Sequence, residues 1–465
     1  KTIFEAIKKR VKTSEDLSRL KRTVAKKTHA PCPSNINLLQ TYHKLIKKGS
    51  VRNSDILGKL LIKRPVRSLS GIVNVSVLTK PYPCPGRCLY CPTEKGIPKS
   101  YVSGEPAVER AKRLKYDPYL QVKTRLASLT AEGHPTDKVE IRIVGGTWSY
   151  YPKKYQIKFI QWCFDACNSK ISQNLSSAQK LNEKSKHRIV GLSIETRPDF
   201  ITPIEIKRLR ELGITMVELG VQSIYDDVLK LNLRGHTVKE TILATKLLKD
   251  AGFKVLYQMM PNLPGSTLKK DEKMFEKLFK NPDFQPDFLK IYPCAILKTA
   301  GLYQLFKTGK YEPYSEKQLL NLLKDIKKRL PYYVRIQRIA RDIPSNSIVT
   351  GPAKLTNLRQ ILAGIAGKEE WRCKCIRCRE VRENYNPKEK IFLFRQDYKA
   401  SNGKEIFLSF ENKARDKLYS LLRLRIPPFA FQASEGKLSQ NRFIPILKNA
   451  ALIREIHTYG RQVPV

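Results

Sequence analysis

Six of the ten cysteines stand in two tight groups, Cys84, Cys88, Cys91 and Cys373, Cys375, Cys378. Their spacings, C-x3-C-x2-C and C-x-C-x2-C, bring three sulfurs together in one short loop each time. In a reducing compartment that pattern is metal chemistry rather than disulfide chemistry. The first group can hold three irons of a [4Fe–4S] cluster and leave the fourth iron open to a small chelating molecule. A structural zinc is the competing use, and a lone triad suits it poorly because zinc usually closes on paired C-x2-C units. The second group needs a fourth donor to complete a zinc tetrahedron, and Cys294 is the expected one. Cys32, Cys163 and Cys167 compete, although Cys163 and Cys167 stand four apart on an apolar helical pattern and read as core. A buried apolar thiol is the other reading of Cys294.

Short β-branched runs at 73–78, 139–144, 189–194, 216–221, 254–259 and 288–292 alternate with amphipathic stretches such as 105–131, 204–212, 237–251 and 271–279. Six strand-plus-helix units predict a parallel α/β architecture, either an open sheet or a full or partial barrel. In each of these, chemistry gathers at the carboxyl ends of the strands. That edge receives the Cys84 loop after the first run, Gly145, Gly146 and Thr147 after the second, and Glu195 at the end of the third. Residues 391–398, 404–410, 418–425 and 450–459 read as further strands, with Asn402-Gly403 as a hairpin turn. They are expected to form a separate, mainly antiparallel unit. The expected division is a basic helical region at 1–70, the α/β domain at 71–345, a cysteine-bearing linker at 346–390 and the C-terminal domain at 391–465.

The 465 residues carry 88 Lys and Arg against 42 Asp and Glu, a formal charge of +46. Such a chain repels itself unless a polyanion neutralises it. The first 80 residues hold 19 basic against 4 acidic side chains, with helical apolar spacing at 3–7 and 38–46, so a folded basic region is expected there. No run of 18 apolar residues occurs, which argues against a membrane span. With 41% hydrophobic residues, 21 Tyr and 17 Phe, the chain can build cores. Positions 1–27 are polar and basic without an apolar stretch, so a cytoplasmic location is expected.

The triad loop after a first strand resembles the radical S-adenosylmethionine superfamily, whose Gly-Gly-Glu segment corresponds to Gly145-Gly146-Thr147, with Thr147 in place of the Glu. Longer stretches carry the resemblance further: Leu78-Thr-Lys-Pro-Tyr-Pro-Cys84, Tyr116-Asp-Pro-Tyr119, Gly133-His-Pro-Thr-Asp-Lys138 and Gly191-Leu-Ser-Ile-Glu-Thr-Arg-Pro-Asp199. Glu218-Leu-Gly-Val-Gln-Ser223, Arg234-Gly-His-Thr237, Met259-Met-Pro-Asn-Leu-Pro264 and Arg341-Asp-Ile-Pro344 continue it in order. From about residue 65 to its end the sequence is similar to the Elongator catalytic subunit family, in its archaeal- or bacterial-like single-chain form.

That resemblance implies a partial (βα)6-type radical domain followed by a mixed α/β GNAT-type acetyltransferase domain. It implies a tRNA uridine carboxymethyl transferase with a [4Fe–4S] cluster, S-adenosylmethionine and acetyl-CoA as co-substrate; the zinc expected at the second cysteine group would clamp the two domains together. In the implied reaction a 5′-deoxyadenosyl radical takes hydrogen from the acetyl methyl, and the acetyl radical adds to carbon 5 of the wobble uridine (position 34). Thioester hydrolysis then leaves the carboxymethyl group. Cys84, Cys88 and Cys91 would ligate the cluster; Gly145, Gly146 and Thr147 would line the methionyl group. Glu195 would bind ribose hydroxyls or an amino group, unless it pairs with Arg197. Lys138 maps to an acetyl-CoA contact, and Glu455, Ile456, His457 and Thr458 to the strand that pairs with the pantetheine arm. His457 is the tentative catalytic residue, as a base or by orienting the thioester, with packing as the alternative. The family's Gly-rich pyrophosphate loop would follow residue 465, so only the front half of the acetyl-CoA domain is expected here. Expected partners are the tRNA anticodon stem-loop, an electron donor, and a second copy or accessory subunits; phosphate contacts are expected from the first 80 residues and from 110–123. Protein lysine acetylation with a structural iron–sulfur cluster is the alternative function, disfavoured because basic tails would be repelled. A non-catalytic tRNA scaffold is the third.

Overall fold

Alternation of β-branched with small polar residues makes Val73–Leu78 a strand (β1), with Val73, Val75 and Val77 buried and Asn74 and Ser76 on the opposite face. The computed structural model describes residues 1–62, 68–382, 385–428, 444–447 and 450–460; the expected chain end at 463–465 lies outside them. After β1 come β2 (Lys138–Val144), β3 (Arg188–Thr196), β4 (Met216–Gln222), β5 (Lys254–Met259), β6 (Phe288–Ile291) and β7 (Arg335–Ile339). They pair in sequence order, all parallel, and β7 does not close on β1. The result is an open, partial barrel, with seven strands where the sequence pattern suggested six. The seventh carries no apolar run because Arg335, Gln337 and Arg338 interrupt its apolar residues and line the cavity.

Helices on the outer face complete the units. Their starts follow capping chemistry: Asp117 accepts from Leu120 N at 2.8 Å before Pro118–Ala131, and Thr237 with Glu240 forms a capping box before Val238–Asp250. One continuous apolar core lies between sheet and helices, including Val75, Ile141, Ile194, Val217, Val255 and Leu289. Cys163 and Cys167 belong to it, as their spacing indicated.

The first four helices, Thr2–Lys8, Ser14–Thr28, Asn35–Lys47 and Asp55–Leu61, close on a core of their own around Leu17, Leu20, Leu39, Tyr42 and Leu57. In Ser14–Thr28 the spacing of Leu17, Leu20 and Val24 turns one stripe inward and leaves Arg19, Arg22, Lys26 and Lys27 in solvent. No helix among the described residues is long and apolar enough to cross a membrane.

The C-terminal strands β8 (Ile391–Ala400), β9 (Gly403–Asn412), β10 (Leu418–Ile426) and β11 (Leu452–Thr458) form an antiparallel sheet in the order β11-β10-β9-β8. The sheet is distinct but the unit is not separate, because Phe407, Leu418, Leu421 and Tyr459 enter the barrel's own core. A buried ion network adds to the junction: Arg454 reaches Asp287 and Glu405 at 2.6 Å each, and Lys249 lies 3.4 Å from Asp287. Burial opposes the charge on Asp287, yet Arg454 and Lys249 hold its carboxyl well below the usual range. Removing one partner of such a network strands a buried charge, so the two sheets are bound as a unit.

Candidate functional site

The chain leaves β1 through Thr79, whose N–H donates to Val144 O at 2.9 Å and whose hydroxyl meets Tyr151 OH at 2.8 Å. This bridge fixes the start of the cysteine loop against the end of β2. Gly145 turns there at φ 135°, and a Cβ on it would collide with the Thr79 hydroxyl, so only glycine fits. Gly146 follows at φ 101°, and Thr147 Oγ1 lies 3.6 Å from Cys84 Sγ. The Gly145-Gly146-Thr147 segment and the first thiol of the loop are therefore neighbours in space, 63 residues apart in sequence.

Further anchors hold the loop. Gly86 N–H donates to Cys84 Sγ at 3.4 Å, Cys91 N–H to Cys88 O at 3.1 Å, and Leu89 N–H to Asn232 O at 3.2 Å. Arg234 donates to Cys88 Sγ at 3.5 Å. Cys91 is turned inward and lines the main cavity; burial, reinforced by Cys88, pushes its thiol up to about 12. The donor set suits a [4Fe–4S] cluster. Among the described residues only Cys373, Cys375 and Cys378 have their ligand atoms within 4.8 Å of one another, as a single ion needs; the wider first triad matches sulfurs bound to three separate irons.

The cavity holds about 550 Å³ and runs along the barrel interior. Cys91, Tyr90 and Tyr101 line one end; Ser70, Arg335, Arg377 and Glu380 line the other. Between them Glu195 accepts from Tyr101 OH at 2.9 Å, Gln258 Nε2 at 3.1 Å and Lys290 Nζ at 3.4 Å. Glu195 and Glu218 are register partners on adjacent strands, and Lys290 also bonds Glu218. Burial works against the Lys290 charge, but Glu218, Tyr292 and Glu195 together raise its pKa above the ordinary lysine value. The suggested Glu195–Arg197 pair does not form: β3 ends at Thr196 and the turn that follows returns Asp199 to Arg197 at 2.8 Å.

The wall is rich in guanidinium groups. Arg335, Arg359, Arg377 and Arg382 meet near Glu380, which pairs with Arg335 at 2.7 Å and Arg382 at 2.9 Å. Burial and the neighbouring Arg359 and Arg335 pull Arg377 down to about 10. Like charges crowded in this way favour an anion. Gln222 Oε1 and Gln337 Oε1, both on the cavity wall, are buried without a hydrogen-bond partner. Unmet polar atoms of that kind mark places where a ligand's groups complete the bonding.

His457 reaches this region from the C-terminal sheet. Its Nε2 lies 2.8 Å from Ser70 O, and its ring stacks on Tyr459 at 4.2 Å. A carbonyl partner requires an N–H, so Nε2 carries the proton and Nδ1 is left as an acceptor. Burial, resisted by Glu455, lowers the imidazole pKa. Tyr459 OH accepts from Arg335 at 3.3 Å, which ties β11 to the cavity wall. Glu455 pairs with Arg423 at 2.6 Å, while Ile456 and Thr458 face solvent. β11 is an outer strand of the described sheet, so its second backbone edge has no strand partner there.

Two expected residues lie elsewhere. Lys138 begins β2, at the opposite edge of the sheet from Gly145, and lines a separate shallow cleft with Arg188 and Asn182. Cys294 does not join Cys373, Cys375 and Cys378. It follows the carboxyl end of β6 and packs against Ile296, Leu302 and Tyr311, where burial pushes its thiol up to about 12. The other three cysteines sit at the amino edge of β7, where Ile376 N–H donates to Val334 O at 2.9 Å. A strand's length separates the two places, and no fourth His, Cys, Asp or Glu joins the triad among the described residues.

Sequence reasoning assigned no role to Lys290, Gln258, Arg234 or the cavity arginines. A lysine and a glutamine inside otherwise apolar strands were the available signal for the first two, because a charge in such a run is retained only where it has a partner.

Comparisons with known proteins agree with this geometry. Residues 82–278 match the Radical SAM superfamily, and residues 286–365 match the Radical_SAM C-terminal domain. The chain is 44% identical over 430 residues to a tRNA uridine(34) acetyltransferase of Methanocaldococcus infernus, covering 90% of this chain and 78% of that one. It is 36% identical over 490 residues to Elongator complex protein 3 of Bos taurus, covering 100% of this chain and 85% of that one. Among solved structures, the archaeal Methanocaldococcus infernus Elp3 with an N-terminal deletion superposes with a TM-score of 0.71 at 42% identity, covering 84% of each chain.

Proposed function

The chain belongs to the radical SAM family that contains the tRNA uridine(34) acetyltransferases and Elongator complex protein 3, and on that premise we propose that it modifies the wobble uridine of tRNA. The product is a carboxymethyl group on carbon 5 of that base, with acetyl-CoA as the carbon source. When bound, the [4Fe–4S] cluster supplies the electron that cleaves S-adenosylmethionine to a hydrogen-abstracting species.

The residues present divide the remaining tasks. Cys84, Cys88 and Cys91 hold the cluster, and the Gly145-Gly146 turn offers bare backbone to the methionyl group, with Thr147 at its side. Glu195 accepts ribose hydroxyls, its charge balanced by Lys290. Gln222 and Gln337 supply the polar edge that a flipped base needs, and the guanidinium groups around Arg377 take its phosphates. The free edge of β11, at Glu455, Ile456, His457 and Thr458, is suited to an amide-bearing arm such as pantetheine. With its Nε2–H given to Ser70, His457 orients that arm or accepts a proton at Nδ1. Contact by Lys138 would be made with a part of acetyl-CoA outside the cavity. Zinc would occupy Cys373, Cys375 and Cys378 in a supporting role, within the four-part division at 1–70, 71–345, 346–390 and 391–465. An electron donor is required.

The observation that carries this reading is the continuity of one polar cavity from Cys91 to Ser70 and Arg335, the residues that hold His457 and Tyr459. That continuity supports a radical centre on one sheet and an acyl donor on the other working on one shared space, as chemistry that must exclude water requires. The test is mass spectrometry of tRNA nucleosides after anaerobic incubation with S-adenosylmethionine and acetyl-CoA. Carboxymethyluridine should appear together with 5′-deoxyadenosine, and neither should form with Cys88→Ser. Acetylated lysine without adenosine products would overturn the proposal.

A further inference from the structure

Against the cysteine loop a guanidinium group is buried beside one ligand sulfur. Arg234 is 7% exposed. Its Nε and Nη2 both donate to the carbonyl of Gly220, and its Nη1 donates to Cys88 Sγ at 3.5 Å. None of these three bonds goes to a carboxylate. The neighbouring guanidinium, Arg197, is differently placed, because Asp199 takes it in a two-point pair at 2.8 Å. Arg234 therefore meets the sulfur with no carboxylate bonded to it, and Asp199 acts on its charge only through space.

The fold makes room for this arrangement. Gly220 lies inside β4, where glycine is disfavoured in a strand interior. A Cβ at that position would stand 2.6 Å from Arg234 Nη2. The missing side chain lets the guanidinium lie flat against the strand and aim its third nitrogen at Cys88. The turn that carries Arg234 is also bound to the loop, through Leu89 N–H and Asn232 O at 3.2 Å. One main-chain tie between the two segments and the three side-chain bonds of Arg234 therefore fix it relative to Cys88.

We propose that Arg234 is a positioning residue that sets the reduction potential of the cluster by donating to the Cys88 thiolate. The inference rests on the reading of Cys84, Cys88 and Cys91 as cluster ligands. A hydrogen bond to a ligand sulfur withdraws electron density from the iron, and a nearby positive charge favours the added electron; both raise the potential. Among the described residues no guanidinium or ammonium donates to Cys84 or Cys91: Cys84 accepts the Gly86 amide, and Cys91 faces the cavity with Lys99 and Arg341 acting on it only through space. One thiolate of the three is thus singled out, so the electron density of the cluster is drawn toward the Cys88 corner.

The experiment is an anaerobic redox titration of the reconstituted cluster followed by electron paramagnetic resonance, with no S-adenosylmethionine or RNA added. Arg234→Gln should lower the potential enough to cut the reduced-to-oxidised ratio at a fixed poise about tenfold, equivalent to about 59 mV for a one-electron couple. Arg234→Lys keeps the charge and should recover part of the shift. Gly220→Ala leaves Arg234 in place but displaces its guanidinium, and should lower the potential with the iron content unchanged. If Arg234→Gln fails to retain a cluster, the Gly220→Ala and Arg234→Lys titrations decide. An unchanged potential and spectrum in those variants at full iron content would overturn the inference and leave the proposed reaction standing. Absence of any cluster from the unaltered protein would instead overturn the reading on which it rests.

Discussion

Cys84, Cys88 and Cys91 hang at the carboxyl edge of the barrel with a cavity on one side, whereas Cys373, Cys375 and Cys378 are drawn within 4.8 Å of one another at its amino edge. The spacings differ by two residues, yet the surroundings diverge. The first loop is spread and each of its cysteines is partly covered; in the second, Cys375 is wholly buried and Cys373 nearly so, while Cys378 is exposed. Each triad also has one buried cation on one sulfur, Arg234 on Cys88 and Lys327 on Cys378. What separates them is what they face. A cavity leads to Cys91, and the apolar core closes over Cys373 and Cys375. Ligand type therefore tells that a metal is held, while the packing around the ligands tells whether it reacts.

Removing one ligand from each site should produce the largest effect and divide the two most clearly. Cys88→Ser should lose iron, retain zinc, and abolish S-adenosylmethionine cleavage while the fold persists. Cys375→Ser should lose zinc, retain iron, and show its main loss in thermal stability, because a structural zinc contributes folding energy directly. Metal analysis of the two variants, paired with thermal unfolding, checks the contrast. Iron loss in both would erase it.

Breaking the charge balance inside the cavity comes next. Lys290 bonds Glu218, lies 3.4 Å from Glu195, and is nearly buried. Lys290→Met would strand two carboxylates, at a cost of about 3–5 kcal/mol. Denaturant unfolding should show that loss, and a second change, Glu218→Gln, should restore part of it. A stable Lys290→Met protein would mean that the reactive side of the molecule is as insulated as the zinc side.

How far these differences could be read beforehand depends on the residue. The Cys84 loop, the Gly145 turn and the six apolar strands were legible because their signals are local: spacing, glycine, and period-two or continuous apolar runs. β7 was not, since a strand that lines a charged cavity carries arginine where a core strand carries valine. Cys294 misled for a related reason. Sequence shows that a thiol is available but not which end of a strand it occupies, and here a whole strand length separates it from its expected partners. The joining of the two sheets was hidden too, because Arg454, Asp287 and Glu405 meet from distant segments.

A backbone probe tests the open site at smaller scale. Gly145→Ala places a methyl against the Thr79 hydroxyl at a φ of 135° that alanine rarely adopts. About 1–3 kcal/mol of strain is expected, with S-adenosylmethionine binding weakened and zinc content unchanged. Calorimetric titration with S-adenosylmethionine measures it. Normal binding in Gly145→Ala would remove that turn from the proposed cofactor contacts.

The smallest expected effect probes the feature that the two sites share. Lys327 is 4% exposed, and its Nζ lies 3.7 Å from Cys378 Sγ. Burial opposes its charge, but the thiols of Cys373, Cys378 and Cys375 raise its pKa above the ordinary lysine value. The cation and the sulfurs therefore stabilise each other, and three thiolates around the proposed zinc ion would give it a net negative charge to answer. Lys327→Met removes that answer without touching a ligand. Zinc affinity should fall about 10–100-fold, the usual range for losing a partner one step outside the metal ligands. A chelator competition measures that fall directly. The potential of the iron–sulfur cluster should not move, because Lys327 lies on the far edge of the barrel from Cys88. A shift of that potential in Lys327→Met would show that the two triads are electrically coupled, and the contrast between a site that faces the cavity and one packed against the core would then fail at its base.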